Sequence, residues 1–130
     1  MQEVHVEQLT DLAPEVNATN LLVDRVAASG GQALFMVQRS GTWHEVTADR
    51  FLADVKRLAM KLVSDGLQPG GKVAIISRTR YEWALAEEAI WFAGGISVPI
   101  YETSSPFQIE WILRDSGARV VFAEDHELRS

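Results

Sequence analysis

Two arginines follow an apolar run at a spacing that could bind an anion. Arg78 and Arg80 come directly after residues 73–77, a run typical of a buried strand. Ligands in open parallel sheets bind outside the carboxyl ends of the strands, and arginine forms strong hydrogen bonds with anionic groups. The two arginines are therefore candidates for anion binding. They could equally be solvated residues at the start of the next helix, because this location is only an analogy with other folds.

Hydroxyl-bearing side chains follow a second apolar run. Tyr101, Thr103 and Ser104 come after residues 96–100, at the corresponding end of the next predicted strand. We expect this loop to contact a substrate or a neighbouring domain. Ser105 has a structural explanation, because it is followed by proline and then by a glutamine at the third helical position, a helix-capping signature.

Other chemical motifs receive little support. Residues 66–72 have the glycine and lysine spacing of a phosphate-binding loop, but Val73 stands where a serine or threonine is needed. That segment also runs from a helix into a strand, which favours a structural turn. The three histidines lie far apart, and no Gly-x-Ser-x-Gly sequence occurs. We therefore predict no catalytic, cofactor-binding or metal-binding residue in this chain.

Acidic pairs and aromatic residues are given structural interpretations. Glu87 with Glu88, and Glu124 with Asp125, are interpreted as solvated helix or turn charges. Four aromatic residues at helical positions are predicted to fill the core: Trp83, Trp91, Phe107 and Trp111.

The elements that must position these residues alternate between strand and helix. The chain reads as strand 73–77, helix 81–93, strand 96–100, a helix beginning after Ser105, and strand 120–122. This order predicts an α/β fold with a partial parallel sheet and crossover helices, arranged in a three-layer-like way. Pro99 indicates either an edge strand or a position near the end of a strand, because proline cannot donate to the ladder.

The first half of the chain predicts smaller elements. A helix over residues 21–28 is capped by Asn20, and a hairpin joins residues 34–37 to residues 43–46 through a Ser-Gly turn. Thr47 caps an amphipathic helix whose apolar stripe ends at Val63.

A capping box is predicted over residues 79–82, with Thr79 and Glu82 at its ends, at the start of the helix 81–93. We divide the chain into an N-terminal arm, residues 1–19, and one α/β subdomain, residues 20–130.

Composition excludes several classes of protein. The 130 residues carry a net charge of -6, which argues against a nucleic-acid surface. There is no cysteine, no basic and apolar leader, and no apolar stretch long enough to span a bilayer. We expect a cytoplasmic protein that associates with membranes only through a lipid substrate, a partner or sequence outside this chain.

The order of the local motifs resembles the N-terminal region of AMP-forming acyl-CoA ligases, in the adenylate-forming family. The resemblance rests on residues 43–51, 66–75, 82–101 and 112–118. Residues 99–106 are more similar to fatty acyl-CoA ligases than to peptide-synthetase adenylation domains.

The resemblance implies a parent enzyme that activates a long-chain fatty acid with ATP and Mg²⁺ to acyl-AMP and transfers it to CoA. The family's lysine-containing phosphate loop and its C-terminal catalytic lysine have no counterpart in these residues. The chain is therefore expected to be an incomplete N-terminal subdomain, a scaffold that binds no cofactor and is inactive alone. Expected partners are the rest of the ligase and a second copy, held through an exposed apolar surface of the helix 81–93.

Two alternatives stay open. The first is a free-standing, non-catalytic α/β interaction or binding module. The second is a fragment of another adenylate-forming enzyme, of the peptide-synthetase type.

Overall fold

The computed structural model describes residues 4–7, 10–11 and 13–124. The elements are α1 (Ala18–Ser29), β1 (Ala33–Arg39), β2 (Thr42–Thr47), α2 (Ala48–Ser64), β3 (Lys72–Ile76), α3 (Tyr81–Phe92), β4 (Ile96–Ile100), α4 (Pro106–Ser116) and β5 (Val120–Ala123). Asp125, one of the predicted turn charges, lies outside the described residues. Within the described part of the chain, every helix is too short or too polar to span a bilayer.

A three-stranded parallel sheet lies at the centre of the fold. Its order is β4-β3-β5, so β3 pairs in parallel with both neighbours. Val73 and Ile75 of β3 point to the same face, where they join Ala86 and Ile90 of α3 in a buried cluster. From β4 the chain crosses back over β3 to β5, in the direction opposite to the crossover from β3 to β4. Because such crossovers are right-handed, α4, which contacts β4, lies on the face of the sheet opposite to α3. The predicted α/β, three-layer-like arrangement is confirmed.

Pro99 lies in β4, an edge strand, as predicted from its missing N–H.

The predicted hairpin is also confirmed, since β1 and β2 pair antiparallel. Its turn uses Ser40 and Gly41, with φ angles of 50° and 79°. Two consecutive positive φ angles match the twist of the flanking strands.

The hairpin is held to the helices by an aromatic cluster. The rings of Phe35 in β1 and Phe51 in α2 have centroids 4.8 Å apart. Tyr81, at the first position of α3, lies 5.2 Å from Phe35 in an edge-on arrangement and 5.9 Å from Phe51. This cluster fixes the hairpin beside the N-terminal end of α3.

The first helix begins earlier than the sequence predicts. The N-cap of α1 is Asn17, whose side chain accepts a hydrogen bond from the N–H of Asn20 at 2.9 Å. The prediction of Asn20 as the cap is therefore wrong. Both positions carry asparagine, and Asn20 lies inside the first turn because only Asn17 has an extended backbone.

The second helix begins where predicted, after Thr47, but the threonine side chain makes no capping bond. The N–H groups of Ala48 and Asp49 instead donate to the carbonyls of Gln32 and Gly30, which satisfy the helix start. The buried stripe of α2 is confirmed, except that Val63 is exposed.

The two predicted capping boxes have opposite outcomes. At α4 the box is present, because the Ser105 hydroxyl accepts from the N–H of Gln108 and the Gln108 side chain accepts from the N–H of Ser105. At α3 the box is absent, and the N-cap is Arg80 rather than Thr79. The carboxylate of Glu82 accepts hydrogen bonds from the side chains of Arg39 and Arg80. Charged donors bind a carboxylate more strongly than a neutral amide does.

The prediction that four aromatic residues fill the core is wrong for two of them. Phe107 is 78% exposed and Trp111 is 59% exposed, whereas Trp83 and Trp91 are half-buried. Helical spacing identifies an apolar face, but it does not say whether another layer covers that face. In α4 no residue is buried.

Residues 66–72 form a structural turn, as predicted. The N–H of Gly70 donates to the carbonyl of Gly94, and the N–H of Ile96 donates to the carbonyl of Gly71, both at 2.8 Å. A side chain on Gly95 would approach the Gly71 carbonyl to 3.1 Å. Backbone hydrogen bonds and close packing therefore join the glycine turn before β3 to the glycine turn before β4.

Candidate functional site

The candidate site lies at the carboxyl edge of the parallel sheet, which comprises the segments that follow β3, β4 and β5. These segments are residues 77–80, residues 101–105 and Glu124. The sheet brings them together because its three strands run in the same direction. All five predicted site residues belong to this edge.

Alternating charges connect the edge in what we call the ion-pair chain. It consists of Arg39 with Glu82 (3.3 Å), Glu82 with Arg80 (2.6 Å), Arg80 with Glu124 (3.0 Å), Glu124 with Arg78 (3.2 Å) and Arg78 with Glu102 (3.7 Å). The chain runs from the hairpin, past the start of α3, to the ends of all three strands. Three positive and three negative side chains cancel in charge.

Glu124 is the centre of the ion-pair chain. Only 5% of its side chain is exposed, so its interpretation as a solvated charge is wrong. Besides the two arginines, it accepts a hydrogen bond from the backbone N–H of Arg78 at 3.2 Å. That backbone bond and the arginine side chains lower the pKa of Glu124 below its ordinary value. An internal carboxylate is therefore the anion that both arginines bind.

Both arginines line a cavity between the hairpin and the start of α3. Arg78 also lines what we call the β3–β4 groove, a cavity of about 660 Å³ between the ends of these two strands. The groove is lined by Ser77, Arg78, Thr79, Trp83, Pro99, Ile100, Tyr101, Glu102 and Thr103. Arg80 lies on the other side, between the hairpin and α3, where it donates to Glu82. The two arginines therefore share Glu124 and one cavity, and only Arg78 also reaches the β3–β4 groove.

The hydroxyl loop is divided in the same way. Tyr101 and Thr103 line the β3–β4 groove, and Tyr101 is 85% exposed. Ser104 lies outside the groove, and its backbone N–H donates to the Tyr101 carbonyl at 3.0 Å. The structure therefore brings Arg78, Tyr101 and Thr103 together along this groove, and it brings Arg78 and Arg80 together at Glu124.

An exposed aromatic face continues from the same loop along α4. Tyr101, Phe107 and Trp111 line a shallow groove together with Ser104, Gln108 and Ile112. We call the three rings the α4 aromatic face. The sequence predicted an exposed apolar surface on the helix that became α3, but α3 packs against α2 and the sheet.

Two carboxylates of α3 lie outside the carboxyl edge. Glu87 accepts a hydrogen bond from the Ser97 hydroxyl at 3.3 Å, and Oε2 of Glu88 is buried without a hydrogen-bond partner. Burial raises the pKa of both carboxyl groups, and the Glu87 charge adds to the rise at Glu88. They are half-buried rather than solvated, a difference that the apolar residues on either side of the pair could have indicated.

The resemblance implies Mg²⁺ in the parent enzyme. Among residues 4–7, 10–11 and 13–124, no three His, Cys, Asp or Glu side chains converge to hold a metal ion. At the carboxyl edge, Glu102 and Glu124 pair with arginine. No residue described here is assigned to a metal.

Comparison with known sequences gives consistent matches. A family model described as AMP-binding enzyme matches residues 23–130. The long-chain fatty acid–CoA ligase FadD15 of Mycobacterium bovis is 36% identical over 124 residues, which cover 95% of this chain and 21% of that protein. Human long-chain fatty acid–CoA ligase ACSBG1 is 30% identical over 87 residues, 67% of this chain and 12% of that protein. The chain thus spans about a fifth of the mycobacterial relative's length.

Solved structures give the same fold. A Rhodopseudomonas palustris protein described as a long-chain fatty acid CoA ligase superposes with a TM-score of 0.75 and 27% identity, over 85% of this chain and 27% of that one. The N-terminal subdomain of Klebsiella oxytoca NpsA gives 0.73 and 19%, over 84% of this chain and 28% of that one. The second likeness concerns the fold alone. Since the family model matches most of its length, the chain belongs to the AMP-binding enzyme family.

Proposed function

We propose that this chain is the N-terminal part of a long-chain fatty acid–CoA ligase. The parent would activate a fatty acid with ATP to acyl-AMP, release pyrophosphate and pass the acyl group to the CoA thiol. The observation that carries the proposal is the 36% identity to a long-chain ligase over 95% of the chain.

A peptide-synthetase adenylation domain is the competing assignment within the family. The solved structures of NpsA and of FmoA3, a nonribosomal peptide synthetase, share the fold at 19% and 23% identity. Identities this low support the fold and not the substrate. The higher identities belong to proteins named as fatty acid ligases, so they favour the fatty acid assignment.

The role of the chain within the parent would be a scaffold. The carboxyl edge positions loops from three strands, but its charges are paired with one another. Charge that develops on a phosphate in adenylate formation needs free cationic groups or a metal ion. We propose that these come from the rest of the ligase, and that the protein works in the cytoplasm.

A chimera tests the proposal. The chain replaces the matching segment of the FadD15 relative, and acyl-CoA formation from palmitate, ATP and CoA is measured by thioester production. We expect the chimera to be active, and the chain alone to form no thioester under the same conditions.

As a control, the chimera is given an amino acid and ATP, and adenylate formation is measured as the release of pyrophosphate. A folded chimera that is inactive on palmitate would argue against the fatty acid assignment. Sustained thioester formation by the chain alone would contradict the scaffold role.

A further inference from the structure

A cavity of about 490 Å³ lies at the amino edge of the parallel sheet, away from the carboxyl edge. We call it the amino-edge cavity. Residues of the turn 65–72, which joins α2 to β3, line one side, and Gly117, Arg119 and Val120 line the other. Its volume falls within the range of small-molecule pockets, about 300–1,000 Å³. The proposed function uses none of these residues.

Two basic side chains lie side by side in this cavity. Val73 pairs with Val120 in the sheet, and the residues just before this pair are Lys72 and Arg119. Neighbouring strands lie about 4.8 Å apart, and side chains opposite each other point to the same face. Like charges at such a short distance repel each other. The register of β3 and β5 therefore brings two positive charges together.

Neither cation has an ion-pair partner within the part of the chain that the structure describes. The lining also includes Asp65, but its carboxylate is paired with Lys61. The helix ends beside the cavity have basic residues of their own, Lys61 in the last turn of α2 and Arg114 in that of α4. The repulsion between Lys72 and Arg119 is therefore left unbalanced.

The chemistry of the lining favours a dianion over a single carboxylate. A phosphate monoester carries a charge of about −1.5 to −2 at pH 7 and three strong acceptor oxygens. It can accept hydrogen bonds from the Lys72 ammonium and the Arg119 guanidinium at the same time. Leu67 and Val120 supply apolar surface beside the two charges. An apolar group attached to the phosphate can cover that surface.

The same cavity includes the lysine of a motif that the proposed function leaves unused. Residues 66–72 have the spacing of a phosphate-binding loop, but they connect a helix to a strand. A true phosphate-binding loop uses the N–H groups at a helix start, which this turn does not supply. Binding here would depend on the two side-chain cations, so it should weaken as salt is added.

We propose that the amino-edge cavity is a binding site for a phosphate monoester with a small apolar group. The phosphate bridges Lys72 and Arg119, and the apolar group lies on Leu67 and Val120. Binding at this site does not depend on the ligase reaction proposed above, because it is measured on this chain without ATP or CoA.

Phenyl phosphate is the probe for the test, with benzoate and benzyl alcohol as partial ligands. Titrations of the chain at constant ionic strength are followed by amide chemical shifts in NMR spectra. We expect phenyl phosphate to shift the signals of residues 66–72 and 117–120 in a saturable way. Benzoate has a single negative charge and benzyl alcohol has none, so both should bind at least about tenfold more weakly.

Three variants make the test specific. Lys72→Gln and Arg119→Gln should each weaken phenyl phosphate binding about tenfold, since each removes charge-assisted hydrogen bonds. Lys56→Gln is the matched control, because Lys56 is an exposed lysine of α2 that does not line the cavity. It changes the net charge by the same amount and should leave the affinity unchanged.

Three results would overturn the proposal. Phenyl phosphate shifts that cluster at the carboxyl edge, around Arg78 and Arg80, would place the ligand elsewhere. Equal affinities of Lys72→Gln and Lys56→Gln would exclude a role for the Lys72 charge. Benzyl alcohol binding as tightly as phenyl phosphate would exclude the phosphate contact, and this comparison on the wild type stays valid if a variant does not fold.

Discussion

Glu124 illustrates how one side chain can organise a whole edge of this molecule. It binds arginines 44 and 46 positions earlier in the chain, and its own N–H extends the sheet by donating to Ile76. The residue joins the ends of β3 and β5 and, through Arg78 and Arg80, reaches β4 and the hairpin. Removing its charge should therefore destabilise the connected strand ends as well as its own segment.

We expect Glu124→Gln to lower the melting temperature at pH 7 and to have a smaller effect at pH 3. The pKa of Glu124 is lowered in the folded protein, so the charge stabilises the fold above the unfolded pKa of about 4.3. That stabilisation is lost as the pH falls through the folded pKa. Thermal unfolding at pH 3, 5 and 7 measures the difference.

The matched control is Asp65→Asn, which removes a carboxylate from the exposed pair with Lys61 at the end of α2. Its effect should be small at every pH. A Glu124→Gln curve parallel to that of wild type across this range would contradict the assignment.

Glu88 should show the opposite dependence on pH. Its buried Oε2 has no partner, and burial raises its pKa, so the charged form is disfavoured in the folded state. Glu88→Met should raise the melting temperature at pH 7, and the gain should shrink as the pH falls towards the unfolded pKa. Glu110→Met, on the exposed surface of α4, is the control and should give no gain. A loss of stability at pH 7 would show that the Glu88 charge is satisfied.

Residue types alone could not predict these environments. The sequence identified Arg78, Tyr101 and Thr103 as neighbours because strand ends meet at one edge. It could not predict the ion pair between Glu124 and Arg80, because that contact depends on where β5 lies in the sheet after its crossover. Charge pairs distant in sequence carry no local signal.

At the scale of elements, the capping motifs separate what a pattern can establish from what it cannot. Residues 79–82 and 105–108 both match a capping box, yet only Ser105 caps its helix. The proline after Ser105 fixes the helical start, whereas Arg80 competes for Glu82 at the other site. The sequence predicted each helix and strand of the described residues, and the errors in these elements lie at their ends, such as Asn20 in place of Asn17.

The two boxes offer a direct comparison. We expect Ser105→Ala to destabilise the protein by about 1 kcal/mol, because the capping box that binds two N–H groups at the start of α4 is lost. Thr79→Ala should change stability by less than about 0.5 kcal/mol, as its hydroxyl makes no capping bond. Urea unfolding of both variants measures the difference. Equal losses for the two would show that the α3 box forms in solution.

At the scale of the whole molecule, the α4 aromatic face is an apolar surface that the described residues leave open. The sequence correctly predicted an exposed apolar surface but assigned it to the wrong helix. Its apolar pattern could not show that α2 would cover α3 while α4 would remain open. Layers are set by tertiary packing, which a single helix does not encode.

We expect the chain to associate as its concentration rises, through the α4 aromatic face. The double variant Phe107→Ser with Trp111→Ser should remain monomeric over the same range in light scattering. Met60→Ser is the control, because Met60 is 72% exposed but lies on α2, away from this face. A strictly monomeric wild type, or unchanged association of the double variant, would contradict the prediction.

The order of the sheet also has a kinetic consequence. Val73 pairs with Ser97 across a short connection, but it pairs with Val120 only after the chain has passed over the central strand. Longer closures are slower to form, so β5 and the carboxylate after it should dock late in folding. Contacts absent from the transition state govern the rate of unfolding. In stopped-flow measurements, Glu124→Gln should therefore accelerate unfolding and leave the refolding rate nearly unchanged. The ion-pair chain would then slow the unfolding of the native protein.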